Sequence, residues 1–107
     1  DSIPASFAQL QSAFQPEKAA GVNRTLQFDY SGREAGIWNL TVSNGTLQYS
    51  EGPADGPNAT IAVDSDDWLK ILRNELNPVT AFMGGKIKVT PASAAMELMQ
   101  FQNWFAR

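Results

Sequence analysis

The chain has 107 residues, 43% of them hydrophobic, which suits one globular domain with its own core and leaves no room for two. Eleven acidic against eight basic residues give a net charge of -3, and with no basic cluster this argues against nucleic-acid binding. Cysteine and histidine are both absent, so disulfides, thiol nucleophiles, Ser-His-Asp relays and imidazole-held metals are excluded.

Ile3, Phe7, Leu10 and Phe14 recur at helical spacing and lay an apolar stripe along a first helix. Pro4 suits its first turn, and Pro16 ends it while allowing a short helical piece to Ala20, with a break at Gly21. The period then changes to two. Leu26, Phe28 and Tyr30 alternate with Thr25, Gln27 and Asp29, which predicts a half-buried strand. After a turn at Ser31 to Glu34, Trp38, Leu40 and Val42 alternate with Ile37, Asn39 and Thr41. Asn44-Gly45 is a hairpin signal, because both residues tolerate the positive φ of a type I′ turn, and it leads to a strand with Leu47 and Tyr49. The stretch from Gly52 to Asn58 is too rich in Gly and Pro to be other than a loop, and Ala59, Ile61 and Val63 form a fourth strand.

Asp64, Asp66 and Asp67 supply a cap and an acidic first turn to a helix that carries Trp68, Leu69, Ile71 and Leu72. Asn77-Pro78 opens a short helix with Phe82 and Met83, and Gly84-Gly85 stops it. Lys86-Ile87-Lys88-Val89 is a short strand, its lysines protecting an edge or facing water. Thr90-Pro91 opens a last helix running to about Trp104. Three consecutive strands joined by short turns form a meander that the helices cover on one face, an α+β arrangement. No apolar run approaches the roughly 20 residues of a membrane span, and the start does not resemble a signal peptide. Four Asn-x-Thr sequons, at Asn23, Asn39, Asn44 and Asn58, follow from the abundance of Asn and Thr and lack a secretory context.

Function has few places to reside. On the last helix Ala94, Leu98, Phe101 and Phe105 share a face, while Ala95 and Met99 lie about 100° around it, so apolar residues exceed one stripe. The surplus either packs on the sheet and a partner, or lines a cavity. Met83, Met96 and Met99 suit an adaptable apolar wall, although each also serves as a gap-filler in a core. Glu97 is assigned to the solvent side. Gly84-Gly85 precedes a strand and is a helix stop, not a phosphate loop, and Glu51 and Asp55 lack the alternating ligands of a calcium loop. No catalytic set, metal site or cofactor is expected.

The passage from Leu76 to Val89, Leu-Asn-Pro-Val-Thr-Ala-Phe-Met-Gly-Gly-Lys-Ile-Lys-Val, resembles the signature of the sterol-carrier-protein-2 family. Trp38-Asn39-Leu40-Thr41-Val42 before Asn44-Gly45, and Ala59-Thr60-Ile61-Ala62-Val63 before Trp68-Leu69, resemble further segments of it in the same order. The resemblance implies a five-stranded, mostly antiparallel sheet covered by helices, with an apolar tunnel between them that carries a fatty acid, acyl-CoA or sterol. By position, the walls would include Leu72, Leu76, Phe82, Met83, Met96, Met99 and Phe101, with Trp38 and Leu40 from the sheet. Thr90-Pro91-Ala92-Ser93 departs from the family, which commonly has a Gly-Asp or Gly-Asn pair at the entry to the last helix. The aromatic ending, Phe101 to Phe105, either caps the cavity or docks on another subunit. Two functional expectations follow. One is a non-catalytic, cytoplasmic lipid-binding module of a single domain. The other is an accessory or dimerisation domain at the end of a larger enzyme, such as an alkylsulfatase-like hydrolase, which the missing initial methionine also suggests.

Overall fold

The computed structural model describes residues 2–106. Helix α1 (Ile3–Ala13) leads through a 3-10 turn at Pro16–Ala19 into β1 (Arg24–Ser31), then β2 (Gly36–Ser43), β3 (Thr46–Glu51) and β4 (Ala59–Asp64). Helices α2 (Ser65–Leu72) and α3 (Pro78–Met83), strand β5 (Ile87–Thr90) and helix α4 (Ala95–Gln102) follow. The expected α+β architecture is present. Its five strands lie in the order β3-β2-β1-β4-β5, and each neighbouring pair is antiparallel except β1 and β4, which run parallel.

Local chemistry explains where these elements start and stop. The Ser2 hydroxyl accepts from the Ala5 N–H (3.2 Å) and Asn77 Oδ1 from the Val79 and Thr80 N–H groups (2.8 and 3.1 Å), so α1 and α3 have side-chain caps. Asn44 and Gly45 take φ of 54° and 73°, the backbone a two-residue hairpin turn needs. One polar knot joins three elements: the Ile3 N–H donates to Glu34 Oε1 (3.0 Å), and the Glu34 N–H donates to Ser65 Oγ (3.0 Å). Next to it Asp64 caps α2, accepting from the Asp66 N–H (2.8 Å).

Gly32 has φ of +87°, and a Cβ there would overlap the Asp64 carboxylate. Gly32→Ala is therefore predicted to cost about 2 kcal/mol, through left-handed strain and disturbance of the α2 cap. Urea denaturation measures it, and a change below about 0.5 kcal/mol would contradict this account.

One face of the sheet is apolar and covered. Leu26 and Phe28 of β1 stand in register with Leu40 and Trp38 of β2 and with Ala59 and Ile61 of β4. The helices pack on this side. The other face is polar: Thr25 and Thr41 share a hydrogen bond across the strands (3.2 Å). The 52–58 loop is tied to that face, with the Ala54 N–H donating to Gln27 Oε1 and Asn39 Nδ2 to the Gly52 carbonyl, both at 3.0 Å.

The C-terminal region differs from expectation. The last helix does not begin at Pro91: that residue is extended (ψ 158°), a 3-10 turn spans Ala92–Ala94, and no side chain caps the start of α4. Nor does it reach Trp104. After Asn103 the chain straightens and pairs with the end of α1, the Gln15 N–H donating to the Trp104 carbonyl and the Ala106 N–H to the Ala13 carbonyl, each 2.8 Å. This backbone pairing satisfies groups that another helical turn would have used, and it buries Trp104 and Phe105. Glu97 is also not on the solvent side. Its side chain is 12% exposed and pairs with Arg24 at 2.9 Å, because Arg24 projects from the covered face at the start of β1.

Candidate functional site

Between sheet and helices the interior is filled by rings. Phe28, fully buried at the middle of β1, meets Phe7 (5.7 Å between centroids), Tyr30 (5.9 Å), Trp68 (5.2 Å) and Phe101 (5.9 Å). Phe101 continues the network to Trp104 and Phe105 at 5.9 and 4.9 Å. Phe7 also lies nearly parallel to Trp38 and Tyr49, at 5.0 and 5.3 Å. Such contacts add stability beyond the area they bury.

The open volume lies on the helical side of this network. A cleft of about 200 Å³ runs between α1 and the C-terminal segment, with α2 and the start of α3 at its base. Its two walls share one spacing. Ser6, Gln9, Leu10 and Ala13 face the cleft from α1, and Leu98, Phe101, Gln102 and Phe105 face it from the other side. Both sets follow i, i+3, i+4, i+7, so each is a single helical ridge or its continuation. Ser6 and Ala13 are small, which leaves a gap where larger side chains would close the ridges on each other. The Ser6 hydroxyl donates to the Ile3 carbonyl (2.6 Å), so its hydrogen is already used within α1.

Of the residues expected to form a ligand wall, Leu72 and Phe101 line this cleft. Trp38 and Leu40 lie on β2, Trp38 against Phe7 and Leu40 wholly enclosed in the core. Leu76 is half-buried against the core. Phe82, Met83, Met96 and Met99 face outward, exposed by 37, 80, 64 and 41%. Residues that sequence reasoning did not assign to a site are Ser6, Leu10, Ala13, Trp68 and Leu98, while Phe105, of the aromatic ending expected to cap a cavity or dock on another subunit, lines the cleft. A second stripe on the first helix, offset from the Ile3-Phe7 stripe and containing two small residues, was the available signal.

Two polar atoms are enclosed in the aromatic interior without a hydrogen-bond partner among the described residues, the Tyr30 hydroxyl and Trp68 Nε1. Burial pushes the Tyr30 hydroxyl well above its ordinary value near 10. Above about pH 10 the unfolded chain loses this proton while the folded chain keeps it, so stability falls as pH rises, by up to about 1.4 kcal/mol per pH unit. Below about pH 10 both states hold the proton and this group adds no slope. Tyr30→Phe is predicted to reduce the alkaline loss of stability, as read from urea midpoints between about pH 8 and pH 11. An unchanged loss in the variant would contradict it.

Among the described residues no group of three or more Asp or Glu side chains is placed to hold a metal ion. No helix among them is long and apolar enough to cross a membrane. Two of the acidic residues at the start of α2 have structural partners, Asp64 accepting from the Asp66 N–H and Asp66 accepting from Arg33 at 2.9 and 3.1 Å.

Comparison with known proteins agrees with this architecture. The profile of the SCP-2 sterol transfer family matches residues 7–103. The chain is 27% identical over 105 residues to hydroxysteroid dehydrogenase-like protein 2 of Bos taurus, covering 95% of this chain and 25% of that protein. It is 32% identical over 92 residues to the Xenopus tropicalis protein of that name, covering 83% of this chain and 22% of that one. The chain thus spans about a quarter of the length of these curated relatives. Among solved structures, the sec-alkylsulfatase Pisa1 from Pseudomonas sp. superposes with a TM-score of 0.85 at 21% identity, over 95% of this chain and 16% of that one. Palmitated SCP2L2 from Aedes aegypti superposes with a TM-score of 0.73 at 16% identity, over 96% of this chain and 95% of that one. At these identities the structural likenesses establish the fold.

Proposed function

From the premise that this chain belongs to the SCP-2 sterol transfer family, we propose that it binds an apolar, lipid-like ligand (a fatty acid, acyl-CoA or sterol) without chemical conversion, in the cleft between α1 and α4. The observation that carries this reading is the cleft itself, whose base and walls are Leu10, Trp68, Ile71, Leu98, Phe101 and Phe105. Each CH₂ moved from water into such a site contributes about 0.8 kcal/mol, so ten to twelve carbons reach roughly micromolar affinity after association costs. The cleft, at about 200 Å³, is smaller than the roughly 300 Å³ at which ordinary ligand pockets begin. A ligand of that length therefore requires the uncapped α4 to swing away from α1, enlarging the cleft toward the interior. The test is native mass spectrometry of protein purified from cells, together with displacement of a bound fluorescent fatty acid by unlabelled lipids. A co-purified lipid, or displacement in the micromolar range, is expected. Absence of both overturns the proposal.

A second reading, an accessory or dimerisation domain of a larger enzyme, is favoured by a different observation. Val79, Phe82 and Met83 on α3, and Met96 and Met99 on α4, are all exposed large apolar residues, and both helices pack beside β5. Exposed apolar residues in number suit a contact surface. The similarity to segments of an alkylsulfatase and of a dehydrogenase-like protein supports this reading too. Light scattering across a range of concentrations discriminates: association abolished by Met83→Glu and Met96→Glu supports an interface, whereas a concentration-independent monomer counts against self-association.

A further inference from the structure

The two edges of the sheet are built differently. The β5 edge is short, carries Lys88 with Lys86 just before it, and runs into Thr90-Pro91, all of which discourage strand pairing. The β3 edge has none of these devices. Its six residues include no Lys or Pro, and they hold an unbroken one-to-one register with β2, so no bulge turns the edge aside. The Gly52 N–H donates to the Ile37 carbonyl (2.7 Å), which makes that pair a hydrogen-bonded one. Counting back by two, Ser50, Gln48 and Thr46 turn their backbone groups to β2, whereas Leu47, Tyr49 and Glu51 turn theirs outward. The Gln11 amide agrees with this direction, donating to the Leu47 carbonyl (3.1 Å). No described residue bonds the outward groups of Tyr49 and Glu51. An open depression lies against them, and its described lining is the amides and hydroxyls of Gln11, Asn39, Thr41, Gln48, Tyr49 and Ser50.

The surface around this edge is also free of charge. Although 18% of the chain is charged, α1 and the stretch from Thr46 to Ser50 contain no Asp, Glu, Lys or Arg. Pro4, Ala8 and Gln11 recur at i, i+4 and i+7, and all three are exposed on the side of α1 from which Gln11 reaches β3. Depletion of charge marks the middle of a contact between proteins. Each copy carries a net charge of -3, so two copies meet at least electrostatic cost on an uncharged face. We propose that two copies of this chain pair through their β3 edges, antiparallel about a two-fold axis at Tyr49, and so join their sheets into one. In this register Tyr49 faces its counterpart as a hydrogen-bonded pair, Leu47 faces Glu51 of the second copy, and Gln48 faces Ser50. The two Glu51 carboxylates are thereby kept apart. The Leu47 carbonyl has two lone pairs, so its bond from Gln11 leaves one for the second strand. A contact between two short strands and their flanking helices falls below the standard interface size, so the dimer is weak and exchanges rapidly.

The experiment is light scattering from about 10 μM to about 1 mM, with amide hydrogen exchange read by mass spectrometry at both ends of that range. The expected result is a reversible dimer with a Kd on the order of 100 μM. The edge amides of the β3 segment are expected to exchange about fivefold more slowly at the higher concentration, and those of β5 at an unchanged rate. Glu51→Pro deletes an outward N–H that the sheet itself does not use, so it leaves the fold intact and is expected to raise the dimer Kd at least about tenfold. Gln48→Lys, which places a charge on the meeting face, is expected to act in the same direction. Urea midpoints close to wild type are expected for both variants. The exchange readout comes from the wild-type chain and does not depend on either variant folding. A monomer up to about 1 mM, or a dimer that neither substitution weakens, overturns the proposal. So does association that Met83→Glu abolishes and that leaves β3 exchange unchanged, since it assigns the contact to α3.

Discussion

Phe28→Ala is predicted to lower the free energy of unfolding by about 4 kcal/mol, toward the upper end of large-to-small core substitutions. Phe28 is fully buried at the centre of β1, and its ring touches partners from α1, α2 and α4 as well as its own strand. Those partners are themselves held by further rings, with Phe7 against Trp38 and Tyr49 and Phe101 against Trp104 and Phe105. The cavity therefore has stiff walls and cannot collapse, which is the condition under which the loss is greatest. A domain of this size has about 5–15 kcal/mol in total, so the variant should be folded only marginally or not at all. Urea denaturation followed by tryptophan fluorescence gives the value. Phe28→Leu should recover much of the loss, since it restores most of the volume without the ring contacts. A measured loss below about 1 kcal/mol for the alanine variant would mean that the ring network is not a continuous core.

The second large effect concerns binding. Ala13→Trp is predicted to raise the Kd for a fluorescent fatty acid at least about tenfold, equivalent to 1.4 kcal/mol or more, while changing stability little. Ala13 is the last residue of α1, half-buried, and it lines the cleft. Its carbonyl, which accepts from the Ala106 N–H (2.8 Å), is backbone and survives the substitution. An indole at this position occupies the gap between the two ridges. Met96→Trp is the control, because Met96 is 64% exposed and lies outside the cleft lining. Both variants place an indole on a helix, one inside the cleft and one outside it. If Met96→Trp weakens binding and Ala13→Trp does not, the ligand sits on the outer face of α4 instead.

Much of the local structure is legible in the sequence. Alternation of period two marked Leu26, Phe28 and Tyr30 as the inward side of a strand, and all three are buried. Asn44-Gly45 and Asn77-Pro78 specified a turn and a helix start through their own backbone preferences and hydrogen-bonding groups. The candidate site was less legible. Leu72 and Phe101 were identified, but Ser6 and Ala13 open the cleft by being small, and a small residue leaves no mark in a pattern of apolar side chains.

The last helix shows where the division falls. Being apolar around much of its circumference, it has no single stripe to choose its inward face, so Met96 and Met99 were as eligible as Leu98 and Phe101. The choice came from residues far away in the chain: Arg24 draws Glu97 inward, and the end of α1 pairs with the segment after Asn103 and carries Trp104 and Phe105 into the core. The sequence by itself determined the elements from α1 to β5, their turns, and the apolar face of each strand, because those depend on side chains within a few residues of one another. Only the tertiary structure decided that β1 and β4 lie side by side in parallel, which surface of α4 turns inward, and that the open space falls between helices. Those outcomes depend on contacts between segments tens of residues apart, and periodicity reports which residues share a face without reporting what that face meets.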